Sequence, residues 1–135
     1  MSKAVAVEVS KLLAYSSPLE SDVWGCGIVS VEMVQKCLDE GNLMDHEKWE
    51  ALNAPALFIP SAKDHAARIA FLVVDGWDEP IQLDVGIPSM GYAPAWPYLD
   101  GNHRAVAAAI RGDDIIYAHI SGQVDYANTV LGVSI

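Results

Sequence analysis

Between Tyr98 and Ile120 the chain runs strand, glycine turn, alanine-rich helix, turn and strand with almost no spacer, and this order constrains the fold more than any other stretch. Tyr98-Leu99 reads as the end of a strand. Asp100-Gly101-Asn102-His103-Arg104 leads directly into Ala105-Val106-Ala107-Ala108-Ala109-Ile110, a short helix ending at Arg111. Gly112-Asp113-Asp114 is a turn, and Ile115 to Ile120 is the next strand. A strand-to-helix junction points several unpaired N–H groups outward at the positive end of the helix dipole, a setting that suits a phosphate. Gly101 lets the backbone approach an anion closely, and Arg104 offers it a planar fork.

The ordinary alternative is a capped turn, in which Asp100 or Asn102 caps the helix, Gly101 relieves strain and Arg104 is solvated. One detail opposes it. A positive side chain in the first helical turn works against the dipole, and an anion bound at the helix start offsets that cost.

Elsewhere, Ala4 to Val9 reads as a first or edge strand and residues 15–27 as a loop marked by Ser-Ser-Pro and Gly25-Cys26-Gly27. A helix from about Ile28 to Glu40 carries Ile28, Val31, Val34 and Leu38 on one stripe, with Gly41 as its stop. Asp45 caps a short helix anchored by Trp49 and Leu52. Leu57-Phe58-Ile59 is strand-like. Ser61 and Asp64 have capping-box spacing for a helix to about Val74, whose stripe is Ala62, Ala66, Ile69, Ala70 and Val73 and whose end is Gly76. Ile81, Leu83 and Val85 alternate with Gln82 and Asp84 as a half-buried strand. Gly86 to Pro97, with three prolines, is long enough to be more than a connection. The tail from Gly122 reads as a helix or a strand. Helices and strands mix without strict alternation, which predicts an α+β domain with a small mixed sheet packed with helices.

Composition narrows the partners. A chain of 135 residues, 52% apolar, is long enough for one domain (1–135) with a real core. Its net charge of −10 removes the electrostatic basis of a generic DNA binder. The basic residues Lys3, Lys11, Lys36, Lys48, Lys63, Arg68, Arg104 and Arg111 are scattered, so the acidic balance favours a basic protein partner instead. Cys26 and Cys37 form no disulfide framework, and Cys37 reads as a small buried hydrophobe. No apolar run approaches the roughly 20 residues of a membrane span, and no signal peptide is visible, which predicts a cytoplasmic protein without a membrane partner.

A second candidate cluster is His65 and Arg68, three apart on one helix, on a face distinct from the apolar stripe. They reach a phosphate or base edge if functional and are a solvated face otherwise. His46 and His119 have no metal-type spacing, and a satisfied strand histidine is the default for His119. No serine sits in a nucleophile elbow. Trp77, Tyr92, Trp96 and Tyr98 gather around the proline loop as core or loop anchors, one of them able to stack on a base.

The order of Gly76-Trp77-Asp78-Glu79-Pro80-Ile81, a strand, and Asp100-Gly101-Asn102-His103-Arg104-Ala105-Val106-Ala107-Ala108 resembles the ParB N-terminal/sulfiredoxin-like superfamily over roughly residues 60–120. There a G-x-x-Q-P-I segment opens the strand, and a G-E-R-R-x-R-A, D-G-x-H-R or G-G-C-H-R segment opens a helix that holds nucleotide phosphates. The resemblance implies that Gly101, His103 and Arg104 hold phosphates and that Gly76 and Pro80 lie near base and sugar. Asn102 stands where sulfiredoxins carry the reactive cysteine, and an amide is no thiolate nucleophile. Chromosome-partition ParB proteins have a glutamate there, and Asn102 cannot replace it as a general base. Glu79 stands for the usual glutamine, and Val106 for a second arginine. At this length there is no room for the DNA-reading and dimerisation domains of partition proteins, so the chain looks like a free-standing domain of the plasmid or phage type.

These readings predict a nucleotide-binding protein, with ATP or CTP and Mg²⁺ as its cofactors, as an NTP hydrolase, phosphotransferase or nuclease, or as a sensor without turnover. Asp100 and His103 are the candidate catalytic residues, with Asp84 as a lesser carboxylate. Gly101, Asn102, His103, Arg104, Gly76, Pro80, Arg68 and His65 form the candidate nucleotide site, with no protein-only metal site. The alternative is a non-catalytic acidic interaction or inhibitor protein that binds a basic partner or imitates nucleic acid.

Overall fold

The computed structural model describes residues 3–54 and 59–133. Its residues group into two compact units, Met1–Ser17 with Asp78–Ile135, and Pro18–Trp77.

The first unit contains a four-stranded mixed sheet. Its strands are β1 (Val5–Glu8), β2 (Ile81–Asp84), β3 (Tyr98–Asp100) and β4 (Ile115–Ser121), in the order β1-β4-β2-β3. β1 runs antiparallel to β4 with Val5 opposite Ala118, and β2 runs antiparallel to β3 with an irregular register at Gln82/Leu83. β2 and β4 are parallel, with Ile81 opposite Ala118. A parallel pair cannot be closed by a tight turn. The connection therefore carries the proline loop, β3 and α5 (Asn102–Arg111), which is why a helix begins directly at the end of β3.

Strand alternation sends Val7, Ile81, Leu83, Tyr98, Ile116 and Ala118 into the core, while Ile115 and Tyr117 of β4 stay exposed. α1 (Val9–Tyr15) packs on α5 and on α6 (Val124–Leu131). Four successive α5 residues, Ala105 to Ala108, are buried. At about 3.6 residues per turn they cover most of the helix circumference, so small side chains are needed there.

The element order from β2 to β4 follows the sequence expectation, and the tail after Gly122 is the helix α6. Val9, expected to end the first strand, instead begins α1, whose N-cap Glu8 makes no side-chain cap bond.

In the second unit α2 (Val31–Glu40) packs on α4 (Ala62–Asp75), with α3 (His46–Asn53) between them in sequence. Ser30 caps α2 by accepting from Met33 N, so the helix starts later than the expected Ile28. Its buried face is Val34 and Cys37, and Ile28 and Val31 are exposed, which corrects the expected stripe. Asp45 caps α3 as expected, but Trp49 and Leu52 are only half-buried. The Ser61–Asp64 capping box is present in both directions, each such cap contributing about 1 kcal/mol. Of the Leu57-Phe58-Ile59 run, Leu57 and Phe58 lie outside the described residues, and Ile59 is exposed and irregular.

Candidate functional site

The site residues of the first unit converge where β3 meets α5. Gly101 is the N-cap of α5, with φ 111° and no side-chain cap bond. A Cβ at this position would lie 2.6 Å from Ile81 Cβ. The glycine is thus required by its positive φ and by close packing on β2.

Neither Asp100 nor Asn102 caps the helix. Asn102 is its first residue, and its Oδ1 accepts a hydrogen bond from Trp96 Nε1 at 2.8 Å. The Trp96 ring stacks on Tyr98 with centroids 5.4 Å apart. Burial pushes the Tyr98 phenol above its ordinary range, so it remains a donor, to Ser16 O at 2.8 Å. Ser16, Tyr98, Trp96 and Asn102 therefore form one chain of contacts that fixes the end of the proline loop over the start of α5.

Arg104 is the hub. Its Nη1 donates to Glu79 O at 2.8 Å and to Pro80 O at 3.3 Å, and its Nη2 lies 3.1 Å from Asp100 Oδ2. The Arg104 side chain is 13% exposed and that of Asp100 is 70% exposed. This single guanidinium joins the Glu79-Pro80 segment to the Asp100–Arg104 segment. It also supplies a correction: the positive charge in the first turn already has an internal counter-ion, so its placement does not by itself require a bound anion. His103 is half-buried in the same turn.

Gly76, His65 and Arg68 belong to the second unit. Gly76 ends α4 at φ 80° in the second unit. His65, expected on a solvated face, is 4% exposed. It stacks on Trp24 with centroids 4.4 Å apart and meets the edge of Trp49 at 5.2 Å. Desolvation lowers its pKa to about 4, against the opposing pull of Asp64, so the ring is neutral near pH 7. Arg68 donates to Met44 O at 3.2 Å and lies over the Phe71 ring, bracing the segment before α3 against α4. Both residues make these contacts within their own unit.

Asp84, the lesser candidate carboxylate, is engaged by the loop: Gly86 N donates to Oδ1 at 2.8 Å, and Tyr92 Oη to Oδ2 at 3.4 Å. His119 departs from the expected satisfied strand histidine, because its Nδ1 is buried with no hydrogen-bond partner among the described residues. Among those residues no three His, Cys, Asp or Glu side chains gather as a metal-ligand set, and no helix is long and apolar enough to cross a membrane.

The sequence missed the role of Trp96 in this site. Its signal was available: the only aromatic within the last residues of the proline loop stands six positions before Asn102. Comparison with family models, with curated proteins and with solved structures gave no match to this chain.

Proposed function

We propose that the β3–α5 junction binds a phosphate of a nucleotide, ATP or CTP with Mg²⁺, and that the protein acts by binding rather than by turnover. The observation that carries this reading is the Arg104–Asp100 pair at a helix start without a side-chain cap. A guanidinium fixed by two backbone carbonyls faces a carboxylate that is largely in water, and exposed pairs of this kind contribute only about 0–1 kcal/mol. A phosphate outcompetes such a counter-ion, since it accepts from the guanidinium and the first-turn N–H groups together. Gly101, Asn102 and His103 contribute backbone to this cradle, and Pro80 sets the guanidinium at its edge. Asn102, the first residue of the helix, is an amide whose Oδ1 is held by Trp96, so it supplies no general base in the cradle, which favours binding over hydrolysis or nuclease chemistry.

The test is thermal stability against ATP, CTP, GTP and ADP with Mg²⁺, for the wild type, Asp100→Asn and Arg104→Ala. Ligand at about 100 times its dissociation constant adds roughly 2.7 kcal/mol of stability. The expected pattern is a shift in the wild type, a larger one in Asp100→Asn and none in Arg104→Ala. A wild type that no nucleotide stabilises overturns the reading.

A second reading is favoured by the exposed Ile115 and Tyr117 of β4 on a chain of net charge −10. It is an acidic interaction or inhibitor protein whose partner is a basic protein surface. Salt-sensitive capture of such a partner, lost in Tyr117→Ser and unaffected by Arg104→Ala, distinguishes it from the first.

A further inference from the structure

We infer that the cleft between α2 and α4 is a binding site for a small apolar carboxylate, such as an arylacetate. Nothing in the phosphate reading bears on it, since every residue involved belongs to the second unit. The cleft has a volume of about 180 Å³ and is lined by Met33, Lys36, Cys37 and Glu40 of α2 and by Lys63 and Ala66 of α4. The α2 residues recur at spacings of three and four, which puts them on one helix face. Cys37 and Ala66 are buried and form the floor with the half-buried Met33, whereas Lys36, Glu40 and Lys63 are exposed and form the rim.

Size and charge together define the ligand. An apolar cavity of roughly 150 Å³ accommodates one benzene ring, so this cleft fits one ring or a short branched chain. The chain has five lysines against a net charge of −10, and two of them stand at this rim. Neither Lys36 nor Lys63 makes an ion pair among the described residues, although Lys11 does so with Glu8 at 3.5 Å. Two ammonium groups without ion-pair partners above an apolar floor select an amphipathic anion, with its ring against Met33, Cys37 and Ala66 and its carboxylate between the lysines. Glu40 opposes the carboxylate and limits the affinity. The Cys37 thiol, which burial holds in its neutral form, is part of the floor and takes no chemical role.

Cys37 also reports on occupancy. In a Cys26→Ser protein it is the sole thiol, and its rate of modification by a neutral dipyridyl disulfide is followed with phenylacetate as the probe. Phenylacetate at about ten times its dissociation constant slows the reaction about tenfold. Phenylacetamide, of the same shape without the charge, slows it only about twofold at that concentration, as a ligand about tenfold weaker does. Lys36→Gln/Lys63→Gln weakens protection by about tenfold, the scale of one lost charge-assisted contact. Glu40→Gln strengthens it, which keeps the test informative if the double variant folds poorly. Absence of protection, equal protection by the amide, or protection unchanged in the double variant overturns the inference.

Discussion

Trp96 Nε1 donates to Asn102 Oδ1 across 2.8 Å, so the last turn of the proline loop is fastened to the first residue of α5. The bond uses the side-chain oxygen of the helix's first residue, and the stack of Trp96 on Tyr98 holds the indole in line. Trp96→Phe retains the stack and removes the donor. Its expected cost is about 1 kcal/mol, the net contribution of an ordinary hydrogen bond. A double-mutant cycle with Asn102→Ala by urea denaturation returns a coupling energy of that size, and additive losses refute the link.

Arg104 and Asp100 carry very unequal weight although they form one ion pair. Arg104→Ala removes two charge-assisted bonds to backbone carbonyls that have no other donor from this side chain, and is expected to cost about 2–4 kcal/mol. Arg104→Lys does not restore the loss, since an ammonium lacks the fork that spans both carbonyls and the carboxylate. Asp100→Asn, at an exposed position, changes stability by less than about 1 kcal/mol. Chemical denaturation of the three variants checks the ranking, and equal effects at Arg104 and Asp100 contradict it.

Glycines 101 and 112 both have positive φ, and they bracket the same helix. Around Gly112 a Cβ meets nothing within 4 Å, whereas at Gly101 it overlaps the Ile81 side chain. Gly112→Ala is expected to cost about 1 kcal/mol for its backbone alone. Gly101→Ala adds the overlap with a buried side chain, for a total of about 2–4 kcal/mol. Thermal melts of the pair measure the difference, and similar losses would show that packing on Ile81 is not what selects this glycine.

The parts of the fold legible in the sequence are those encoded by residues close together. The Ser61–Asp64 capping box, the alternation from Ile81 to Val85 and the glycine before α5 each act within a few positions, and each marks its element correctly. α1 escaped because β1 passes into it at Glu8 with no turn residue and no side-chain cap. His65 was readable but was misjudged by residue type: it lies three positions after Ala62 and four before Ile69, hence on the buried stripe. The Arg104 contacts with Glu79 and Pro80 span more than twenty residues, and no local pattern encodes which side of a helix start an arginine turns to. That orientation decides the meaning of the junction. The sequence presents a positive charge in need of an anion, and the structure shows it anchored to the β2 entrance with Asp100 alongside.

His65 makes the second unit sensitive to acid. Its folded pKa is lowered to about 4 because the ring is desolvated between Trp24 and Trp49, while the unfolded chain titrates near 6.5. Above pH 6.5 both states hold a neutral imidazole, and His65 contributes no slope. Between about 6.5 and 4 the unfolded state binds a proton that the folded state excludes, so stability falls as the pH falls. The slope from this group approaches roughly 1.4 kcal/mol per pH unit within that window. Below about 4 the folded ring also protonates and the contribution levels off. The carboxylates titrate over part of the same range, so the informative quantity is the difference between the wild type and His65→Leu. Urea midpoints measured from pH 7.5 to 4.5 are expected to fall more steeply in the wild type, with the two slopes merging above pH 6.5. Parallel slopes throughout the range would place His65 in a solvated, ordinary environment.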